Sequence, residues 1–343
     1  MEKQFNTTWL VLTYNCNNRC KWCYANSNNI REKEEIDLKY EQGIIDLLVS
    51  LGVKRTILIG GEPTMYKNLF GFLNKFKSTN IDLGLVSNGR ELKDYNFAKE
   101  LKKHGLNGMS ISFGSYCPEI HDELTGIKGS FNESISGLEN ARNAGIRVSS
   151  NTVINKNNVN DLEKIIDMFG DKVNIMTWNF CGVCLSEEEN NNSILNPRET
   201  ARAFQRVYDY SEKKGIKTKL VTPMPLCIFD EEYLKRFKKK GIISGGPCQL
   251  SHGKNFVIEY NGNILPCTHF SGFPMMNIFK GEGVISGEKF LEEYLNHEKI
   301  PFKFRQIVSR LPSERCDDSS CKEPCTGGCP LIWKIFKPEE VII

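Results

Sequence analysis

The chain has 343 residues, 13 cysteines and a formal charge of +3, from 45 Lys and Arg against 42 Asp and Glu. That balance gives no reason to expect a nucleic acid or an anionic membrane as partner, and 40% hydrophobic with 25% charged residues excludes general disorder. No run of about 18 apolar residues spans a bilayer, and the N-terminal MEKQFNTTWLVLTYNCNN lacks a signal-peptide cleavage pattern.

In chain order, TWLVLTY (8–14) is a short apolar strand, and 36–52 has helical spacing that ends at Gly52. TILIG (56–60) is a β-branched strand ending in glycines, followed by a helix over 66–78. The alternation continues with a strand at 81–89, a helix at 94–105, a strand at 108–114, a helix at 131–145, a strand at 146–155, a helix at 161–170 and a strand at 173–180. Six strand–helix units with buried apolar strands argue for an α/β parallel sheet, either open or curled into a partial barrel, with reactive loops at the C-terminal strand ends. After Phe180 the rhythm breaks: 181–197 is acidic and Asn-rich, 196–215 is a helix with Pro197 near its start and Gly215 after its end, and 223–247 carries several prolines and glycines. NFVIEYNGNILPC then gives a hairpin around Asn261–Gly262 in a Cys-rich remainder.

The cysteines are clustered. Cys16, Cys20 and Cys23 follow the first strand directly, and Cys316, Cys321, Cys325 and Cys329 crowd the C-terminal end. An odd number cannot pair fully, and disulfides are disfavoured in the reducing cytoplasm expected for this chain, so close thiolates point to soft-metal binding. Three Cys on one short loop can hold three corners of a [4Fe–4S] cluster. The alternative is zinc, but a structural zinc site takes four ligands, and no fourth Cys or His is near in sequence.

CNNRCKWC (16–23) matches the C-x3-C-x-aromatic-C signature of radical S-adenosylmethionine (radical SAM) enzymes, with Trp22 as the aromatic. Gly60-Gly61-Glu62-Pro63 stands where that family has its GGEP segment, and Ser87-Asn88-Gly89 where it often has SNG. SISFG (110–114), His121-Asp122, Thr125-Gly126 and Gly129-Ser130-Phe131 resemble its peptide-modifying branch. The resemblance implies a partial (β/α)6 TIM-like barrel over residues 1–215. It also implies a [4Fe–4S] cluster on Cys16, Cys20 and Cys23, its open iron bound by S-adenosylmethionine (SAM). An electron from a donor such as flavodoxin or ferredoxin would split the sulfonium, and the 5′-deoxyadenosyl radical would take a substrate hydrogen. In that setting Gly60 and Gly61 let backbone approach the methionine group, and Glu62 accepts from its ammonium. Ser87 and Asn88 reach ribose or carboxylate, or else cap their turn. Trp22 and Tyr24 offer faces near adenine, and Ser110, Ser112 and Asn151 are inward candidates on later strands.

Cys248-x13-Gly262-x4-Cys267 resembles the opening of the SPASM domain, an auxiliary-cluster extension that would occupy residues 216–343 in SPASM or shorter twitch-like form. Cys316, Cys325 and Cys329 match the first, third and fourth positions of its C-x2-C-x5-C-x3-C run. The second is Ser319, with Cys321 two residues away, and the final Cys is missing. Cys248, Cys267, Cys316, Cys321, Cys325 and Cys329, with Cys227 as a potential seventh ligand, suffice for one auxiliary [4Fe–4S] cluster. A second would need a non-Cys ligand such as Asp317 or Asp318, or an open iron. A zinc knuckle is the structural alternative. Cys117 reads as a core thiol, whereas Cys181, Cys184 and Cys227 are candidate hydrogen-atom donors to a substrate radical. The five histidines are dispersed and read as surface or capping residues.

The resemblance favours modification of a ribosomally made peptide by crosslinking, epimerisation or oxidation. Many such maturases carry an N-terminal peptide-recognition domain, and here the cysteine loop starts at residue 16. A leader peptide would then need a separate recognition protein, or docking near the acidic residues 187–189. The alternatives are a small-molecule (sugar or alcohol) radical SAM dehydrogenase and a non-enzymatic iron–sulfur or zinc sensor.

Overall fold

The computed structural model describes residues 5–20, 23, 34–180, 193–243, 248, 253–317 and 325–342. Trp22, Tyr24, Cys181, Cys184, Cys321, Asp318 and the acidic residues 187–189 lie outside them. Seven parallel strands follow in spatial order β1 (Thr7–Thr13), β2 (Arg55–Gly60), β3 (Asp82–Ser87), β4 (Gly108–Ser112), β5 (Arg147–Ile154), β6 (Ile175–Phe180) and β7 (Thr218–Leu220). Between them run α1 (Leu38–Ser50), α2 (Leu69–Phe76), α3 (Tyr95–Lys103), α4 (Pro118–Thr125), α5 (Ser130–Asn143), α6 (Leu162–Phe169) and α7 (Pro197–Lys214). The six strand–helix units expected from the sequence are all present, and β7 adds a short seventh strand.

Strand alternation separates two faces. On β5, Val148, Ser150, Thr152 and Ile154 are buried on the helix side, while Ser149, Asn151 and Val153 are half-exposed on the other. The helix-side series joins Leu10, Leu58, Leu85, Ile111 and Met176 to helix residues such as Ile44, Phe72, Leu101, Leu138 and Ile165 in one core. A separate apolar group of Val11, Tyr14, Ile59, Val257 and Leu265 lines the inner side of the first strands. One cavity is bounded by residues from β2 through β6, so the sheet curls around a lumen.

The C-terminal segment is built onto this sheet. The hairpin expected at Asn261–Gly262 forms from β8 (Val257–Ile258) and β9 (Asn263–Leu265), with Gly262 at φ 80°. β8 pairs parallel with β1, and β10 (Met276–Asn277) completes a ten-stranded sheet that runs across residue 215. Phe5, Phe256, Phe290 and Tyr294 pack edge-to-face and tilted beneath it, tying the first residues to the helix Gly287–Leu295. The sequence reading missed α8 (Glu231–Lys240), whose single fully buried anchor is Phe237.

His121 corrects the expectation that every histidine caps or faces solvent. It is 1% exposed on α4, packs against Phe113 and Phe131, and its Nδ1 accepts from the Gly114 N–H at 3.3 Å. Burial pushes its pKa down to about 4, only partly opposed by Asp122. The folded chain therefore binds fewer protons here than the unfolded chain between the ordinary histidine value and about 4. Stability falls as pH drops through that window, by about 3 kcal/mol in total. Denaturant unfolding at about pH 7 and about pH 5 is expected to show about 2 kcal/mol of this loss in the native chain and a smaller loss in His121→Leu; equal losses would rule out the assignment.

Candidate active site

The loop after β1 carries Cys16 and Cys20, with Cys23 beyond; all three are half-buried. Cys20 and Cys23 are joined by a backbone hydrogen bond of 3.3 Å, and the Asn18 N–H points to Cys16 Sγ at 3.4 Å. Burial pushes Cys16 and Cys20 up to about 12, Glu62 raises Cys16 further, and Cys23 raises both. The three thiols therefore lie close enough to influence one another's ionisation.

Neighbouring elements clamp the loop. The Arg19 N–H donates to the Thr125 carbonyl at 2.7 Å, at the end of α4. Arg90 donates through Nη1 to the Asn17 carbonyl and to Asn18 Oδ1, while its Nε binds Glu133 of α5 at 2.6 Å. Asn88 Nδ2 donates to Asn17 Oδ1 at 2.6 Å. Asp122 accepts from the Phe131 N–H and Ser130 Oγ, both at 2.9 Å, and so caps α5. The end of α4 thus also holds the loop in place. Arg90 and Glu133 were missed in the sequence; the only available signal was the position of Arg90 immediately after Ser87-Asn88-Gly89.

Glu62 is the centre of the mouth. It is 1% exposed, and its Oε1 accepts from Thr64 N (3.1 Å), Thr64 Oγ1 (2.6 Å) and Ser87 Oγ (2.8 Å). Oε2 accepts from the Asn88 N–H at 2.7 Å. Burial pushes its pKa up against these donors. Most of its acceptor capacity is spent on Thr64 and the Ser87–Asn88 turn, so any ligand ammonium shares what remains on Oε2. Gly60 and Gly61 permit a close approach to the cysteine loop. A Cβ on Gly60 (φ 148°) would stand 2.1 Å from the Thr13 carbonyl oxygen, and one on Gly61 2.4 Å from that of Tyr14 and 2.5 Å from that of Asn15. Gly61 N and Glu62 N donate to Thr13 O and Asn15 O at 2.8 and 2.7 Å.

Inside the lumen, Ser110, Ser112 and Asn151 fall on the half-exposed inward series, with Ser112 and Asn151 register partners. Asn151 Oδ1 accepts from Asn179 Nδ2, and Thr222 Oγ1 donates to Asn179 Oδ1 at 3.2 Å. This wall is polar and uncharged. The opposite wall, Val11, Ile59, Trp9, Ile57 and Val86, is apolar, and Cys23 packs against it.

A second group of thiols forms beside β9. Burial, then Cys248 and Cys267, push the Cys329 thiol up, so these three come together. Burial of Cys267 is more than offset by His269, whose Nδ1 lies 3.5 Å from its Sγ, and the Cys267 pKa is lowered. Cys325 Sγ accepts from Leu226 N and Gly327 N, both at 3.4 Å, which brings it against the turn Leu226–Ile228 that carries the exposed Cys227. Cys316 is half-buried on the turn Glu314–Asp317. Among the described residues no three Cys, His, Asp or Glu side chains are drawn tightly enough around one point to hold a single metal ion. The two Cys-rich regions are linked through a buried carboxylate. Glu259 accepts from Tyr14 Oη at 2.5 Å and Ser271 Oγ at 3.0 Å, joining a residue just ahead of Cys16 to one just past Cys267. Nothing in the sequence pattern singled out Glu259.

Residues 10–169 match the profile of the Radical SAM superfamily. The Fe-coproporphyrin III synthase of Methanosarcina barkeri is 28% identical over 232 residues, 66% of this chain and 58% of that protein. The GTP 3′,8-cyclase of Nautilia profundicola is 33% identical over 171 residues, 49% of this chain and 52% of that protein. The chain thus spans little more than half the length of these relatives. The crystal structure of Streptococcus suis SuiB bound to precursor peptide SuiA superposes with a TM-score of 0.71 over 97% of this chain and 74% of that one, at 16% identity, a likeness of fold. The family implies a [4Fe–4S] cluster and SAM, and the donor set fits. Three soft sulfurs lie near one another around one loop, and iron ligation removes the proton that burial holds on Cys16 and Cys20. With the cysteine loop, the Glu62 hub and the family match falling on the same strand ends, residues 10–169 are a radical SAM domain.

Proposed function

We propose that this chain is a radical SAM enzyme that modifies a ribosomally made peptide. The observation that carries the reading is the convergence of Cys16, Cys20 and Cys23 on a loop locked to Glu62 and the Ser87–Asn88 turn. When bound, the cluster and SAM supply reductive cleavage of the sulfonium and abstraction of a substrate hydrogen atom. The protein's own part is placement. Cys16, Cys20 and Cys23 would hold three irons, Glu62 and the strand ends would orient SAM, and the rigid strands would set the distance to one substrate C–H. Ser110, Ser112 and Asn151 would give a peptide backbone hydrogen-bond partners. Residues 216–343 would hold one or two auxiliary clusters, with Cys248, Cys267 and Cys329 as the best-supported ligands of one.

The likeness to a fold solved with a precursor peptide supports a peptide substrate. The relatives named as a coproporphyrin synthase and a GTP cyclase favour a second reading, a small-molecule substrate. No helix of the described residues is long and apolar enough to cross a membrane.

Two outcomes test the reading. Anaerobically reconstituted protein is expected to form 5′-deoxyadenosine from SAM under dithionite. Cys20→Ala should abolish this while iron bound by the C-terminal cysteines remains; retained cleavage in Cys20→Ala would sink the assignment. Mass spectrometry of reactions with peptides encoded beside the gene, against tetrapyrrole and nucleotide controls, separates the two substrate classes. Gly61→Ala forces backbone apart at Tyr14 and Asn15, so it should destabilise the fold by about 1–3 kcal/mol and lower iron retention at the first cluster. Unchanged melting temperature and iron content would show that the close approach is dispensable.

A further inference from the structure

The barrel has a second end, opposite the cysteine loop. Across the N-terminal edge of the sheet, Ile57 pairs with Gly84, Gly84 with Gly108, and Gly108 with Arg147. Two neighbouring positions in this row therefore carry no side chain. Neither Gly84 nor Gly108 has the positive φ that calls for glycine, so backbone conformation does not explain them. What they leave is a cavity of about 250 Å³.

The cavity is lined by two arginines and by no Asp or Glu. Arg55 lies across the hollow: a methyl on Gly84 would stand 3.2 Å from its Nη2. Its Nε faces Asp82 at 3.5 Å, outside the lining, which leaves its remaining N–H groups directed elsewhere. On the far side, the Arg147 side chain makes no ion pair among the described residues. Ser110 and Ser149 line the cavity one layer deeper, the Ser149 hydroxyl donating to the Met109 carbonyl at 3.2 Å. Like charges around a shared hollow repel unless an anion lies between them, and the planar five-donor fork of arginine suits a multi-oxygen anion.

We propose that this lower mouth binds a small oxyanion, a phosphate or carboxylate group, held between Arg55 and Arg147. The site stands apart from the cysteine loop: Arg147 lies about 13 Å along β5 from Asn151, four residues at the usual strand rise. It needs neither cluster nor SAM, so it stands or falls separately from the proposed reaction.

The test is calorimetric titration of the anaerobically reconstituted protein with inorganic phosphate and, separately, with malonate, at low ionic strength and with chloride as control. One-to-one binding of phosphate or malonate is expected, weakened about tenfold or more in the double variant Arg55→Gln/Arg147→Gln. Gly108→Val, which fills the hollow without touching either charge, should weaken it as well. Iron content and 5′-deoxyadenosine formation should stay at native levels in the arginine variants, showing that they fold. Preference for phosphate would name a phosphorylated ligand, and preference for malonate a carboxylated one. Absence of binding by both anions, or binding unchanged in the double variant, would overturn the proposal.

Discussion

The mouth of the barrel depends on one buried carboxylate. Glu62 sits where β2 ends and gathers donors from Thr64, Ser87 and the Asn88 backbone, so one side chain fixes the geometry between two strand ends. Removing one of these partners would leave a buried polar group unsatisfied. The glycines ahead of it complete the arrangement, because only a chain without Cβ atoms can lie against the carbonyls of residues 13–15. The cysteine loop is thereby positioned from two sides, by backbone contact from β2 and by Arg90, Thr125 and Asn88 from the elements beyond. Cys23 raises the pKa of both Cys16 and Cys20, and this scaffold holds the half-buried thiols close despite that cost.

The second group of cysteines is not hung on the barrel by a tether. β8 adds to the free edge of β1, the strand that delivers the first loop, and Glu259 next to β8 bonds both Tyr14 and Ser271. A displacement near Cys267 therefore has a short, buried route to the residues ahead of Cys16. Tyr260 strengthens the joint by packing edge-on to Tyr14, with ring centroids 5.7 Å apart. The aromatic group of Phe5, Phe256 and Phe290 does the same below the sheet.

Much of this was legible in the sequence because period-2 and period-3.6 patterns are local. β1 to β6 and the hairpin at Gly262 announce themselves through β-branched runs and turn residues, and the cysteine spacing marks the loop. What was missed depends on tertiary partners. α8 is charged along most of its length and is held by Phe237, so it carries too few apolar residues to show a face in the sequence. His121 looks like any dispersed histidine until α4 turns it inward against Phe113. Gly60 and Gly61, which the sequence offers as an approach to a ligand, also approach the neighbouring loop, a contact between residues 46 or more positions apart. Glu62 likewise looks like a free acceptor in the sequence and is largely occupied in the fold.

The two walls of the lumen differ for a reason that bears on the chemistry proposed. Val11, Ile59, Ile57 and Val86 form an apolar face against which Cys23 packs. Across from it stand Ser110, Ser112, Asn151, Thr177 and Asn179, small or uncharged groups that hydrogen-bond without adding a fixed charge. An apolar face beside the cysteine loop limits water there, and the polar face opposite offers directional hydrogen-bond partners, as the proposed reaction requires. Short side chains on that polar face also leave room in the lumen. The asymmetry follows from strand identity: β1 and β2 carry branched apolar residues inward because they also support the cysteine loop, while β4 to β6 do not and are free to present hydroxyl and amide groups.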